Sequence, residues 1–173
     1  PRNIALAIER VISNKGACGV DNMPVEALRE YFERNEFNLC ESIKYRNYKP
    51  SPVRRVEIPK SDGGIRLLGV PTATDRVIQQ AISQILSPIY ERIFVDQSYG
   101  FRKQRSCKMA ITKSKEYIDE GYNWIVDIDL AKYFDTVNHD KLMRLLSNII
   151  KDGDLLSIIR KYLTSGVEIN VVK

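Results

Sequence analysis

The sequence predicts a helix-rich α+β protein with one β-hairpin and a small antiparallel sheet. Apolar residues recur at helical spacing in several segments, which indicates amphipathic helices. Two apolar runs flank Ser61-Asp62-Gly63-Gly64, a pattern typical of a hairpin turn. A third run, Trp124–Asp129, is rich in β-branched residues and predicts a further strand.

Helical periodicity begins at the amino terminus and ends at a glycine-containing loop. The first helix is predicted from the spacing of Ile4, Ala7, Ile8, Val11 and Ile12. A second helix is expected over 24–35 and a shorter one over 39–45, before Pro50 and Pro52 interrupt the helical pattern.

The hairpin is followed mainly by helices. Its strands are predicted at 53–59 and 65–70. Thr72 and Asp75 form a capping-box pattern at the start of a helix over about 75–86, and Ser106 can cap another over 107–120. After Trp124–Asp129, helices are expected from Thr136 or Asn138 and over 154–163, and 167–172 alternates as a strand does.

Composition excludes several classes of protein. The 173 residues contain no apolar run long enough to cross a membrane, and no secretory leader precedes the first helix, so we expect a cytoplasmic protein with no membrane partner. The three cysteines form no CxxC pair and there is a single histidine, His139, so the sequence supports neither a zinc site nor a disulfide framework.

Positive charge is concentrated in two segments. The net charge is +5, but residues 44–66 carry seven basic side chains against two acidic ones, and residues 102–115 carry six against none. A solvated surface usually mixes both signs, so this pattern favours a polyanionic partner such as nucleic acid.

Two carboxylates at the end of the run Trp124–Asp129 suggest a metal site. Side chains at i and i+2 of a strand share a face, so Asp127 and Asp129 would lie about 6.5–7 Å apart and repel each other without a cation. Mg²⁺ accepts one or two carboxylates and completes its shell with water and phosphate. Two alternatives stay open, an ordinary solvated turn and the Asp-x-Asp motif of a nucleotide-sugar enzyme.

Six motifs together resemble the reverse transcriptases encoded by group II introns, and they occur here in the order found in that family. They are Asn14-Lys-Gly-Ala-Cys-Gly-Val-Asp21, Arg55-Val-Glu-Ile-Pro-Lys60, Gly64-Ile-Arg66-Leu-Leu-Gly-Val-Pro71, Asp75-Arg76-Val-Ile-Gln-Gln80, Ser98-Tyr-Gly-Phe-Arg102 and Asp129-Leu-Ala-Lys-Tyr-Phe-Asp135. The resemblance implies the fingers and the start of the palm of a right-hand polymerase.

The same resemblance implies a division of the chain and an incomplete active site. Residues 1–50 would form the amino-terminal extension and first fingers helices, 51–120 the rest of the fingers, and 121–173 a partial palm. The second palm motif, Tyr-x-Asp-Asp, is absent, so we expect a fragment of an RNA-directed DNA polymerase that is inactive by itself. An exposed strand edge could also pair two copies into a homodimer.

By resemblance, Asp129 is the catalytic metal ligand of the first palm motif. Leu130 would add its backbone carbonyl and Asp127 is the weaker third ligand, with two Mg²⁺ ions in the complete site. Phe134 would stack under the sugar of the incoming nucleotide and exclude a 2′-hydroxyl, although a plain core position is the alternative. Lys60 and Arg66 would bind its triphosphate, with ordinary surface charges as the alternative.

The remaining site residues are expected, by resemblance, to contact template or intron RNA. For Arg102 a structural pairing with a carboxylate is the alternative. The predicted RNA-binding set is Asn14, Lys15, Arg54, Arg55, Arg76, Gln79, Ser98, Arg102 and Arg105.

The expected partners are intron RNA, an RNA template with its DNA primer, and dNTPs. The implied protein is a polymerase and intron maturase of bacterial or organellar origin. Two other functions stay open at this point. One is an RNA-binding scaffold without catalysis, and the other is a Mg²⁺-dependent nuclease built on Asp127 and Asp129.

Overall fold

The computed structural model describes residues 2–61 and 63–169, and these divide into two compact units. The first unit comprises Pro1–Gln84 and Asn138–Lys173, and the second comprises Ile85–Val137. The helices are α1 (Arg2–Asn14), a 3₁₀ helix (Val25–Ala27), α2 (Leu28–Lys44), α3 (Ala73–Glu91), α4 (Cys107–Asp119), α5 (Tyr133–Thr136), α6 (His139–Ile149) and α7 (Gly153–Leu163). The strands are β1 (Val53–Pro59), β2 (Ile65–Val70) and β3 (Val167–Glu168).

The core of the first unit lies among α1, α2, α7 and the first turns of α3. Leu28 and Val77 are fully buried there, and Phe32 is 2% exposed. Each such side chain contributes roughly 1.5–3 kcal/mol by leaving water. The apolar stripe predicted for α1 is confirmed, because Ala7, Ile8 and Val11 face this core.

A buried carboxylate joins three segments of the first unit. Asp75 is 1% exposed and accepts hydrogen bonds from the Tyr48 hydroxyl at 2.6 Å, the Ser51 amide at 3.1 Å, the Thr72 hydroxyl at 2.7 Å and the Tyr162 hydroxyl at 3.0 Å. The Asp75 amide in turn donates to Thr72 Oγ1 at 3.1 Å, so the predicted capping box is present. Burial is the main cause that raises the pKa of both phenols, so both remain protonated donors at neutral pH.

The sheet contains the predicted hairpin but is mixed rather than antiparallel. Its order is β2-β1-β3, with β1 and β2 antiparallel over six residue pairs. β3 pairs with β1 in parallel, through Val53 with Val167 and Arg54 with Glu168. The predicted strand over 167–172 extends beyond the described residues. The predicted α+β class with its small sheet is confirmed.

The predicted strand at Trp124–Asp129 is not formed. Within the described residues, 123–131 follow α4 as irregular chain that pairs with no strand, and Trp124 and Ile125 are 96% and 81% exposed. A single strand leaves its backbone donors and acceptors unpaired, so β propensity alone does not hold the segment in a sheet.

Local capping signals locate the other helices. Ser106 Oγ accepts from the Met109 amide at the start of α4, and Asn138 Oδ1 accepts from the Lys141 amide at the start of α6. Separate helices were predicted over 24–35 and 39–45. The structure instead has a short 3₁₀ helix that leads directly into one long helix, α2. No helix among the described residues is long and apolar enough to span a membrane.

Replacing Asp75 by Asn should lower the free energy of unfolding by about 2–4 kcal/mol, because an amide cannot accept all four hydrogen bonds. Chemical denaturation followed by circular dichroism measures the change. Glu30→Gln is the matched control, because it also replaces a carboxylate by the corresponding amide. Among the described residues Glu30 forms a surface ion pair with Arg34, and its replacement should change stability by less than about 0.5 kcal/mol. Equal effects of D75N and E30Q would refute the role given to Asp75.

Candidate nucleic-acid interface

The hairpin of the first unit presents basic residues on both of its faces. Residues directly opposite in an antiparallel ladder share a face, so the pairs Ile58 with Arg66 and Arg54 with Val70 place Arg54 and Arg66 on the same face. Arg55, one position along from Arg54, lies on the other face. Lys60 closes the turn, where its amide donates to the Gly64 carbonyl at 2.8 Å. Lys60 and Arg66 are both exposed, so each can meet a ligand.

Two arginines predicted to bind RNA hold the loop of residues 15–22, here called the N-terminal loop. Arg76 donates to the carbonyls of Lys15 at 3.4 Å and Ala17 at 3.0 Å. Arg54 donates to the Asn22 side chain at 2.6 Å. Part of the positive charge that the sequence assigned to nucleic acid therefore serves the fold of this loop.

A polar hollow of about 310 Å³ brings four of the predicted RNA-binding residues together. Asn14 and Lys15 come from the end of α1, and Arg76 and Gln79 from α3. The other lining residues are Val11, Gln80 and Ser83. The lining includes no carboxylate, so the hollow suits a ligand that carries negative charge and hydrogen-bonding groups.

Arg102, in the second unit, pairs with a carboxylate, which was the alternative to a contact with the template. Its side chain is 4% exposed and pairs with Glu91 at 2.7 Å. It also donates to the carbonyls of Val95 at 2.7 Å and Ser98 at 2.9 Å, and its guanidinium lies 5.4 Å from the Phe94 ring centroid. The hydrogen bonds from Arg102 hold the pKa of the Glu91 carboxyl below its usual value. The structure does not support the expectation that Arg102 contacts the template, because its guanidinium donates to the Glu91 carboxylate and to two backbone carbonyls.

Ser98 and Arg105 belong to the same loop after α3. Ser98 is half-buried and its amide donates to the Val95 carbonyl at 3.1 Å. Arg105 pairs with Asp96 at 3.2 Å and lies 5.7 Å from the Tyr99 ring centroid. Arg105 keeps 24% of its side chain exposed, so a role in RNA binding stays a prediction for it.

The predicted metal ligands lie on the irregular segment of the second unit. Asp127, Asp129 and Leu130 are exposed, and the Leu130 carbonyl accepts from the Tyr133 amide at 3.3 Å. Lys132 adopts a left-handed backbone with φ of 50° and precedes the single turn of α5. On that turn Phe134 is 88% exposed, which excludes the alternative that it is a core residue of the described structure.

The donor chemistry of this segment suits Mg²⁺, although the set is small. Carboxylate and carbonyl oxygens are the hard ligands that Mg²⁺ prefers, and it commonly keeps water and phosphate in its other positions. Among residues 2–61 and 63–169, no three His, Cys, Asp or Glu side chains gather into a group that could hold a metal. Asp127 and Asp129 could therefore supply part of a magnesium shell.

Sequence reasoning missed two apolar surfaces near these sites. On the hairpin, Ile65 and Leu67 are 61% and 56% exposed. In the second unit, α4 and the segment after it enclose a hollow of about 460 Å³, lined by Ser114, Tyr117, Ile118, Tyr122, Trp124, Ile125 and Val126. The apolar run 124–128 was the available signal for the second surface, but its β-branched residues predict a strand instead.

Comparison with known proteins identifies the class to which this fold and these residues belong. Residues 58–173 match the family model described as reverse transcriptase (RNA-dependent DNA polymerase). This chain belongs to the reverse transcriptase family, and the resemblance stated from the six motifs is confirmed.

Curated relatives include proteins encoded by introns. The group II intron-encoded protein LtrA of Lactococcus lactis is 37% identical over 93% of this chain. The putative COX1/OXI3 intron 2 protein of Saccharomyces cerevisiae is 34% identical over 95%, and protein YkfC of Escherichia coli is 36% identical over 96%. The chain spans only 27%, 19% and 45% of their respective lengths.

A solved structure shares the fold at low sequence identity. A chain of a Cas6-RT-Cas1–Cas2 complex superposes with a TM-score of 0.56 and 22% identity, over 99% of this chain and 17% of that one. At this identity the match concerns the fold alone.

Replacing Arg102 by Lys should loosen the loop over 92–106, because one ammonium cannot reach the Glu91 carboxylate and two carbonyls together. Hydrogen exchange should show amides of this loop exchanging about tenfold faster or more, as expected from the loss of one charged hydrogen bond. Lys103→Arg is the control, since Lys103 is exposed on the same loop, and it should leave exchange unchanged. Exchange in R102K that matches the wild type would contradict the structural role.

Proposed function

We propose that this chain forms the fingers and the start of the palm of an RNA-directed DNA polymerase that also acts as an intron maturase. The observation that carries the proposal is the family match over 58–173, which includes the hairpin cations and the segment of Asp129. Similarity to intron-encoded proteins and to a nuclear intron maturase of Arabidopsis thaliana supports the maturase role. The division into 1–50, 51–120 and 121–173 is part of the proposal.

Asp129 is proposed as the main metal ligand, with Asp127 and the Leu130 carbonyl beside it. Reverse transcriptases generally use Mg²⁺. When bound, two such ions would neutralise phosphate charge and favour ionisation of the primer 3′-hydroxyl. Further ligands would come from outside the described residues, since these contain no group of three such side chains.

Lys60, Arg66 and Phe134 are proposed to select and hold the incoming dNTP. The Arg66 guanidinium can bind two phosphate oxygens at once, and the Lys60 ammonium can follow the triphosphate as a mobile point charge. Exposure of both side chains supports this role. The exposed ring of Phe134 offers a flat surface for a sugar and a steric barrier to a 2′-hydroxyl.

RNA is proposed to lie against the basic residues that remain accessible. Asn14, Lys15 and Gln79 surround the polar hollow, and Arg55 lies on the hairpin. The RNA would be a template annealed to a DNA primer, or the intron itself, and the bacterial and mitochondrial relatives support a location inside the cell or organelle. A homodimer could form through the edge of β2, which pairs only with β1 among the described strands.

Replacing Asp129 by Asn in the full-length protein should lower primer extension on RNA by about 1,000-fold or more, because the amide is a poor Mg²⁺ ligand. RNA affinity should stay within about twofold, since no phosphate contact is lost. Asp119→Asn, an exposed carboxylate at the end of α4, is the matched control.

The same experiment separates polymerase from scaffold and nuclease. EDTA should reproduce the D129N defect in the wild-type enzyme. Extension by D129N at the wild-type rate would overturn the proposal, and RNA binding without any extension by the wild type would favour a scaffold. Mg²⁺-dependent cleavage of RNA without extension would favour a nuclease.

Replacing Phe134 by Ala should reduce discrimination against ribonucleotides by about tenfold or more, because the steric barrier to the 2′-hydroxyl is removed. The ratio of kcat/KM for a dNTP and its ribonucleotide measures this selectivity. Tyr133→Phe is the control. It removes only a hydroxyl and keeps the ring that lies 5.4 Å from the Phe134 ring, centroid to centroid, so it should leave the ratio unchanged. An unaltered ratio in F134A would remove Phe134 from the nucleotide site.

A further inference from the structure

The N-terminal loop adopts a backbone that needs support from elsewhere. Lys15 and Asn22 have φ of 56° and 55°, and Gly16 has φ of 117°. Left-handed backbone at non-glycine residues costs about 1–3 kcal/mol each, so it persists only where the surroundings hold it. The loop is therefore shaped by its contacts.

Most of those contacts come from the start of α3. Arg76 uses both terminal nitrogens on the loop, donating to the carbonyls of Lys15 and Ala17. A Cβ on Gly16 would lie 2.9 Å from Arg76 Nη1, and one on Gly19 would lie 2.5 Å from Thr72 Cα. The two glycines thus allow the loop to lie directly on the Arg76 side chain and on the backbone before α3.

The side chain of Lys15 is placed differently from that of Arg76. Its carbonyl is held by Arg76, but its side chain is exposed at the rim of the polar hollow. The described residues give the Lys15 ammonium no hydrogen bond or ion pair, and the hollow has no carboxylate in its lining. The Lys15 ammonium is therefore available to a phosphate, whereas both terminal nitrogens of Arg76 already donate to loop carbonyls.

We infer that Arg76 is a positioning residue that fixes the N-terminal loop, and that Lys15 is the phosphate contact at the rim of the polar hollow. The inference rests on the proposed binding of RNA. Asn14 and Gln79 line the same hollow, and their side-chain amides can donate to or accept from an RNA ligand. Arg76 then acts on RNA only through the loop.

The test uses the full-length protein and two readouts. The affinity for a single-stranded RNA is measured as a function of KCl, and hydrogen exchange is measured for the amides of residues 15–22. The variants are Arg76→Lys, which keeps the charge but loses the forked donor, and Lys15→Gln, which removes the charge. Arg29→Lys is the matched control, because Arg29 pairs with Glu9 at the surface of the same unit.

R76K should lower affinity about tenfold, as expected when one charged hydrogen bond is lost, without changing the salt slope. It should also raise exchange across residues 15–22 while α1 and α2 stay protected. K15Q should reduce the steepness of the slope by about 0.7, the effect of one phosphate contact, without raising exchange. R29K should match the wild type in both readouts.

One further variant tests whether the effects of R76K come from the loop or from general unfolding. Gly16→Ala keeps Arg76 but places a methyl group against its guanidinium, so it should raise loop exchange and lower affinity as R76K does. The inference is overturned if R76K behaves as R29K does, or if R76K changes the salt slope as K15Q does. If the wild type binds no RNA, the proposed function and the phosphate contact both fail, while hydrogen exchange still decides whether Arg76 fixes the loop.

Discussion

The first unit depends on one buried carboxylate. Asp75 accepts from four donors that belong to the segment before β1, the turn before α3 and the end of α7. Because a buried charge is tolerated only when its hydrogen bonds are satisfied, these segments are required to meet at one point. The position of Ser51, two residues before β1, then determines where the hairpin leaves the core.

The basic residues divide into two groups that the sequence does not distinguish. Arg54, Arg76 and Arg102 donate to groups of the protein, and two of them hold backbone carbonyls. Lys15 and Lys60 are exposed instead. A planar guanidinium suits fixed acceptors, such as the loop carbonyls or the pair of phosphate oxygens proposed for Arg66, whereas an ammonium on a flexible stem can follow a moving phosphate. Clustered charge in the sequence therefore does not by itself identify which basic residues are available to a polyanionic partner, because some of them hold the fold.

Local signals predicted most of the elements, and long-range pairing explains the failures. The caps at Ser106 and Asn138 and the hairpin over 53–70 depend on neighbours within a few residues, and all were found. The capping box at Asp75 was also visible, but its bonds to Tyr48 and Tyr162 span 27 and 87 positions and had no sequence signal. Trp124–Asp129 failed as a strand because strand formation requires a partner. Asp129 and Phe134 therefore remain site predictions drawn from motif resemblance, and Asp127 remains one whose supporting strand is not formed. The hollow at Lys15 could be found only in three dimensions.

The phenols on Asp75 also make folding sensitive to alkali. Tyr48 and Tyr162 bind their protons more tightly in the folded chain than in the unfolded chain, where the usual pKa is 10.0. Unfolding above that pH therefore releases protons, and the free energy of unfolding falls as the pH rises. Below pH 10 both states keep the two protons, so this contribution to stability is then complete. The bonds that hold α7 to the start of α3 thus limit the basic end of the pH range in which the first unit stays folded.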